Sequence, residues 1–146
     1  MGKYTYIDRD VLVSNAFNSL AAAPIRVYLH FLLKRKMVKR SIGKRKKWVQ
    51  VNNGELVFTY AMAKKDLNMP SSTFMNCIDR LVAVGLLDIP HSGAGGKKGD
   101  VSLYSLSERW RKFGTPEFIQ KSRPKDNRSG RGFAAYPENR KNRSKV

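Results

Sequence analysis

Residues 59–89 read TYAMAKKDLNMPSSTFMNCIDRLVAVGLLDI, and this stretch decides the fold. Thr59 can cap a short helix reaching Leu67, because its hydroxyl can accept from a first-turn N–H. Asn68 tolerates the left-handed backbone that a tight turn needs. The spacing predicts a second helix over 71–84, with Phe74, Cys77, Ile78, Leu81 and Val82 recurring on one face. Gly85 suits the left-handed residue that ends it. Strands are predicted over 86–90 and 101–106, around the loop HSGAGGKKGD at 91–100. That order is expected to present a polar helix face and a flexible cationic loop on one side of a small domain.

Working outward, residues 1–13 read as partly extended, with Tyr4, Tyr6, Val11 and Val13 as packing residues. Ser14 or Asn15 can cap a short turn through Leu20. Pro24 fits the first position of a helix over 24–38, along which Ile25, Tyr28, Leu29 and Leu32 recur at helical spacing. Residues 39–47, KRSIGKRKK, break that pattern. Strands are predicted at 48–51 and 55–59, flanking Asn52-Asn53-Gly54 as a hairpin turn. After the second strand pair, Thr115-Pro116-Glu117 opens a short helix containing Phe118 and Ile119. From residue 121 onward the composition predicts disorder when free, giving a domain at 1–120 and a basic tail at 121–146. There is no internal repeat.

The chain of 146 residues is 41% hydrophobic, enough for one packed core, and carries a formal charge of +18. Solubility needs far less, so the excess is expected to meet a polyanion. Residues 1–120 hold 20 basic and 9 acidic groups, and 121–146 hold 9 and 2. No apolar run is long enough to span a bilayer, and the start MGKYTYIDRD lacks the apolar stretch of a signal peptide. Cys77 has no second cysteine to pair with, so a reducing cytoplasm is expected.

The 59–89 segment resembles the helix-turn-helix of winged-helix DNA-binding proteins. The residues that carry the likeness are Leu67, Asn68, Met69 and Pro70 at the turn. The run Leu81-Val82-Ala83-Val84-Gly85-Leu86 then leads into the first wing strand. Residues 89–101 correspond to the wing, and Leu103-Tyr104-Ser105-Leu106 is similar to the returning strand. The motif covers about a third of the chain. Two features depart from the pattern. Pro70 stands where Ser or Thr usually caps, leaving Ser71 or Ser72 to do so, and the basic insert 39–47 is longer than a minimal member needs. The wider sequence resembles small regulators and replication-associated proteins of bacterial mobile elements. The resemblance implies an α+β fold: a winged helix-turn-helix (helices within 59–85, wing 86–106) with a basic N-terminal hairpin insert and a disordered basic tail.

A recognition helix buries one face and offers the other to the major groove, where base edges carry a readable pattern. With Phe74, Ile78 and Leu81 inward, Ser71, Ser72, Thr73, Met75, Asn76 and Arg80 lie outward or at the rim. Asn76 can bond adenine with both amide atoms, Thr73 can touch a thymine methyl, and Ser72 suits a phosphate. Arg80 suits either phosphate or base. Lys97 and Lys98, in a loop with four glycines, can meet phosphate or enter the minor groove. They do not form a nucleotide-cradling loop, since Gly99-Asp100 and a strand follow rather than Ser or Thr and a helix. Lys34, Arg35, Lys36, Lys39, Arg40, Lys44, Arg45, Lys46 and Lys47 run without an intervening acid. Their density favours phosphate contact, with Lys44, Arg45, Lys46 and Lys47 the clearest candidates. Trp48 is read as a core or hairpin residue before a base-stacking platform. The tail interleaves Arg123, Lys125, Arg128, Arg131, Arg140, Lys141, Arg143 and Lys145 with Phe133 and Tyr136, a pattern able to fold onto DNA, RNA or protein.

Nothing in the spacing points to catalysis. His30 and His91 are isolated, and Asp66, Asp79, Asp88 and Asp100 show no pairing, so neither a metal centre nor a cofactor is expected. The leading reading is a sequence-specific duplex-DNA-binding protein of the cytoplasm, nucleoid-associated and most simply a transcriptional regulator. Alternatives are replication, partition or DNA coating on a plasmid or phage, an RNA-binding or ribosome-associated role, and a winged adaptor for protein partners. A homodimer is compatible, through helix 24–38 or the segment 110–119. No membrane or small-molecule partner is indicated.

Overall fold

Rings from four parts of the chain meet at one point. Phe31 lies edge-on to Phe58 and Tyr104, at 5.1 and 5.2 Å between centroids, and Phe58 packs against Phe74 at 4.9 Å. Within residues 4–93 and 100–123, which the computed structural model describes, an α+β fold of five helices and two small antiparallel sheets gathers around these rings. The short helices α1 (Arg9–Leu12) and α2 (Asn15–Asn18) lead into α3 (Ala22–Leu33). A ribbon follows, β1 (Met37–Ile42) with β2 (Arg45–Gln50), and then α4 (Tyr60–Leu67) and α5 (Ser71–Val84). The second sheet pairs β3 (Leu87–His91) with β4 (Leu103–Leu106), and a 3₁₀ turn at Arg109–Lys112 buries Trp110. Val27, Ile78, Leu81, Leu86 and Leu87 fill the space around the rings.

The local signals of the 59–89 stretch act as expected. Thr59 Oγ1 accepts from Met62 N–H at 3.2 Å, and Asn68 is left-handed at φ 51°, ψ 43°. Ser14 likewise accepts from Phe17 N–H at 3.1 Å. Gly85 closes α5 at φ 88°, and a Cβ there would lie 2.7 Å from Trp110 N and 2.8 Å from Arg109 C. Gly85→Ala therefore combines left-handed strain with a backbone clash, expected to cost about 2–4 kcal/mol. A thermal melt should show Tm falling by roughly 10 °C; an unchanged Tm would mean that the 3₁₀ turn gives way without cost.

Elsewhere the structure departs from the sequence expectations. The helix predicted over 24–38 stops at Leu33, because Met37 and Val38 enter β1 opposite Gln50 and Val49. Pro24 is its third residue, still in the first turn, where a missing N–H leaves no bond unmade. The hairpin expected around residues 52–54 is displaced: residues 39–47, read as a break, form most of the ribbon, which turns at Gly43-Lys44. Val38, Ile42 and Val49 share one face of the ribbon, but Arg40, Arg45 and Lys47 interrupt them there and hide the strand pattern.

Segment 55–59 is not a strand and makes one bridge, Leu56 to Tyr104, with N–H···O distances of 3.1 and 2.9 Å. Side-chain amides extend what the backbone does not. Asn53 Oδ1 accepts from Leu106 N–H at 2.8 Å while its Nδ2 donates to Leu106 C=O at 3.2 Å. Asn52 does the same at the ribbon's base, accepting from Lys36 N–H and donating to Lys34 C=O. Of the N-terminal packing residues only Val11 is buried; Tyr4, Tyr6 and Val13 are exposed. Residues 115–118 form a turn closed by Phe118 N–H to Thr115 C=O at 3.2 Å, not a helix, and Ile119 is exposed.

Candidate nucleic-acid interface

Helix α5 is two-faced. Phe74, Cys77, Ile78, Leu81, Val82 and Val84 are buried, and burial pushes the Cys77 thiol pKa up, consistent with a packing role. Ser71, Ser72, Thr73, Asn76 and Arg80 are exposed, and Met75 is half-buried at the rim. Neither Ser71 nor Ser72 caps the helix. Pro70 takes the N-cap position without a side-chain bond, because its fixed φ matches the extended conformation required there. The first-turn N–H groups therefore have no side-chain partner, which suits an anion.

Asp79 shares the rim of this polar face, where an unpaired carboxylate would repel phosphate. Arg123 neutralises it, with Nε and Nη2 at 2.7 and 3.3 Å from the two carboxylate oxygens. This contact spans 44 positions, and no sequence signal announced it. The remaining tail candidates, Lys125 onward, lie outside the described residues.

The cations of 34–47 divide into two groups, with exposed Lys36 between them. Lys34 and Arg35 belong to the body. Lys34 Nζ sits 4.3 Å from the Phe58 centroid, and burial lowers its pKa. Arg35 bonds Leu32 C=O and Tyr6 C=O, at 3.0 and 2.6 Å, and lies over the Tyr6 ring. Lys39, Arg40, Lys44, Arg45, Lys46 and Lys47 remain exposed on the ribbon. Trp48, read as a core or hairpin residue, lies in this hairpin rather than in the core and is 61% exposed.

Lys97 and Lys98 also lie outside the described residues, but the base of their loop is defined. His91 Nε2 pairs with Asp100 Oδ1 at 2.8 Å, and Gly93 N–H donates to Ser102 Oγ at 2.9 Å. A Cβ on Gly93 would lie 2.6 Å from Ser102 N, so the close approach of the two arms requires glycine.

Arg109 is the central residue that sequence reading missed. Its guanidinium, on a side chain only 10% exposed, lies 2.7 Å from Asp88 Oδ1. It also donates to the carbonyls of Val82, Leu87 and Ile119 at 2.9, 3.2 and 2.9 Å. It thus ties the end of α5 to β3 and to the outgoing chain, fixing how the helix and the β3–β4 hairpin sit together.

Comparison with protein-family models, curated proteins and solved structures returns no match. The site rests on its own geometry. Among the described residues no group of three His, Cys, Asp or Glu side chains could hold a metal ion, and no helix is long and apolar enough to cross a membrane.

Proposed function

We propose that the chain is a winged-helix protein that binds duplex DNA with sequence preference and acts as a regulator of transcription. In this reading α5 enters the major groove, while the ribbon and the 91–100 loop meet the backbone. The observation that carries it is the uncovered polar face of α5. Thr73, Asn76 and Arg80 stand exposed on a helix whose other side is wholly buried, as groove reading requires. Asn76 would bond adenine and Thr73 would touch a thymine methyl, with Ser71 and Ser72 against phosphate. Association with the nucleoid follows from the same chemistry.

The test begins with a site selected from random duplex. Asn76→Ala should then lower the preference for that site over unrelated duplex by about 5- to 150-fold, the span of a lost bidentate base contact. Arg80→Ala should lower either preference or general affinity. If both variants keep the wild-type ratio in a gel-shift, α5 does not read bases. The ribbon favours a second reading, replication, partition or DNA coating, because its charge attracts any duplex regardless of sequence. Genome-wide occupancy separates the two: a few operators support regulation, and dense coverage supports coating.

A further inference from the structure

The ribbon's charge accounts for an affinity toward phosphate but not for its indole. Trp48 is 61% exposed, whereas Trp110, the chain's other tryptophan, is 6% exposed. In the β1–β2 register Trp48 stands opposite Lys39, whose Nζ lies 5.9 Å from the ring centroid. Residues two apart on a strand share a face, so Ser41 and Lys46 continue the same surface toward the turn. On the other face Arg40 stands directly opposite Lys47, a like-charge pair that weakens the ladder. No acidic residue occurs between Lys34 and Gly54 to relieve it. A two-stranded ribbon is marginal at best in water, and this one leaves a large aromatic and six cations open to solvent.

An exposed indole gains most from a flat apolar partner. The bases of an intact duplex already cover one another, so phosphates and stacking surfaces are offered together only where bases are unpaired. We infer that Trp48, with Lys39 and Lys46 beside it, forms a stacking site for an unpaired base of single-stranded nucleic acid. Anionic lipid also attracts cations and tryptophan. However, membrane-surface binding scales with the apolar area buried, and among the described residues Trp48 is the one exposed large apolar side chain on its face of the ribbon, beside Lys39, Ser41 and Lys46. The inference goes beyond the duplex reading and does not depend on α5.

Tryptophan emission of the full chain reads the site directly, because Trp110 is shielded. A short oligothymidylate should quench it, while a flush-ended duplex and inorganic polyphosphate at equal phosphate should leave it nearly unchanged. Trp48→Ala should weaken oligothymidylate binding by about tenfold, within the range measured for lost base stacking. Duplex affinity and Tm should not change, and Trp48→Phe should restore most of the single-strand affinity. Three results would overturn the inference: equal quenching by polyphosphate, wild-type oligothymidylate affinity in Trp48→Ala, or a response confined to anionic vesicles. Loss of duplex preference in the α5 variants with quenching intact would leave this site standing.

Discussion

Replacing Lys44, Arg45, Lys46 and Lys47 together by serine is expected to lower duplex affinity on the order of 10³-fold near physiological salt. Each phosphate neutralised releases counterion and contributes roughly 0.9 to the slope of log affinity against log salt. Four lost contacts remove between three and four units of slope, and at about 0.15 M salt each unit is worth several-fold in binding. All four side chains are exposed and bond to nothing else among the described residues, so their removal spares the core. It also relieves the repulsion between Lys47 and Arg40, so Tm should hold or rise. Preference among sequences should survive, because phosphate contacts position the protein without reading bases. The decisive measurement is affinity across a salt series. A slope equal to wild type would show that the ribbon does not touch phosphate.

Arg109→Leu is expected to destabilise the fold by about 3–5 kcal/mol, the cost of removing one partner of a largely buried ion pair. The loss has two parts. Asp88, whose side chain is 25% exposed, keeps only Lys121 Nζ at 4.0 Å. The carbonyls of Val82, Leu87 and Ile119 also lose their side-chain donor, each such bond being worth about 1 kcal/mol net. Urea denaturation measures the total, and the double variant Arg109→Leu/Asp88→Leu isolates the ion pair. If the pair is the main term, the double variant is more stable than Arg109→Leu alone. A single-variant loss below about 1 kcal/mol would show that α5 and β3 are held by apolar packing only.

The α4–turn–α5 unit was legible because its signals act within a few residues. Thr59 bonds three positions ahead, Asn68 adopts its own left-handed angle, and Gly85 ends the helix it follows. The buried face of α5 was equally readable from its period. The ribbon was not, because six cations among nine residues mask the apolar residues at 38, 42 and 49. Asn52 and Asn53 do lie in a turn, closed by Glu55 N–H to Asn52 C=O at 3.0 Å, but it joins no strand pair, and their amides instead complete two sheets. Only folding brings Arg109 to Asp88, or Arg123 to Asp79, across 21 and 44 positions. Trp48 lies in a hairpin, one of the two places its sequence suggests, but its exposure is not legible there, because only the ribbon's isolation leaves it uncovered.

The amide of Asn53 has a consequence for how the protein behaves at high concentration. On β4, Tyr104 and Leu106 turn their N–H and C=O groups away from β3, toward what could be an open border. Leu56 satisfies the first pair through its backbone and Asn53 the second through its side chain. An unsatisfied border of this kind invites strands from other molecules and seeds aggregation. One bridge residue and one asparagine side chain therefore do together the work of a third strand, and Tyr104 and Leu106 offer no template for self-association.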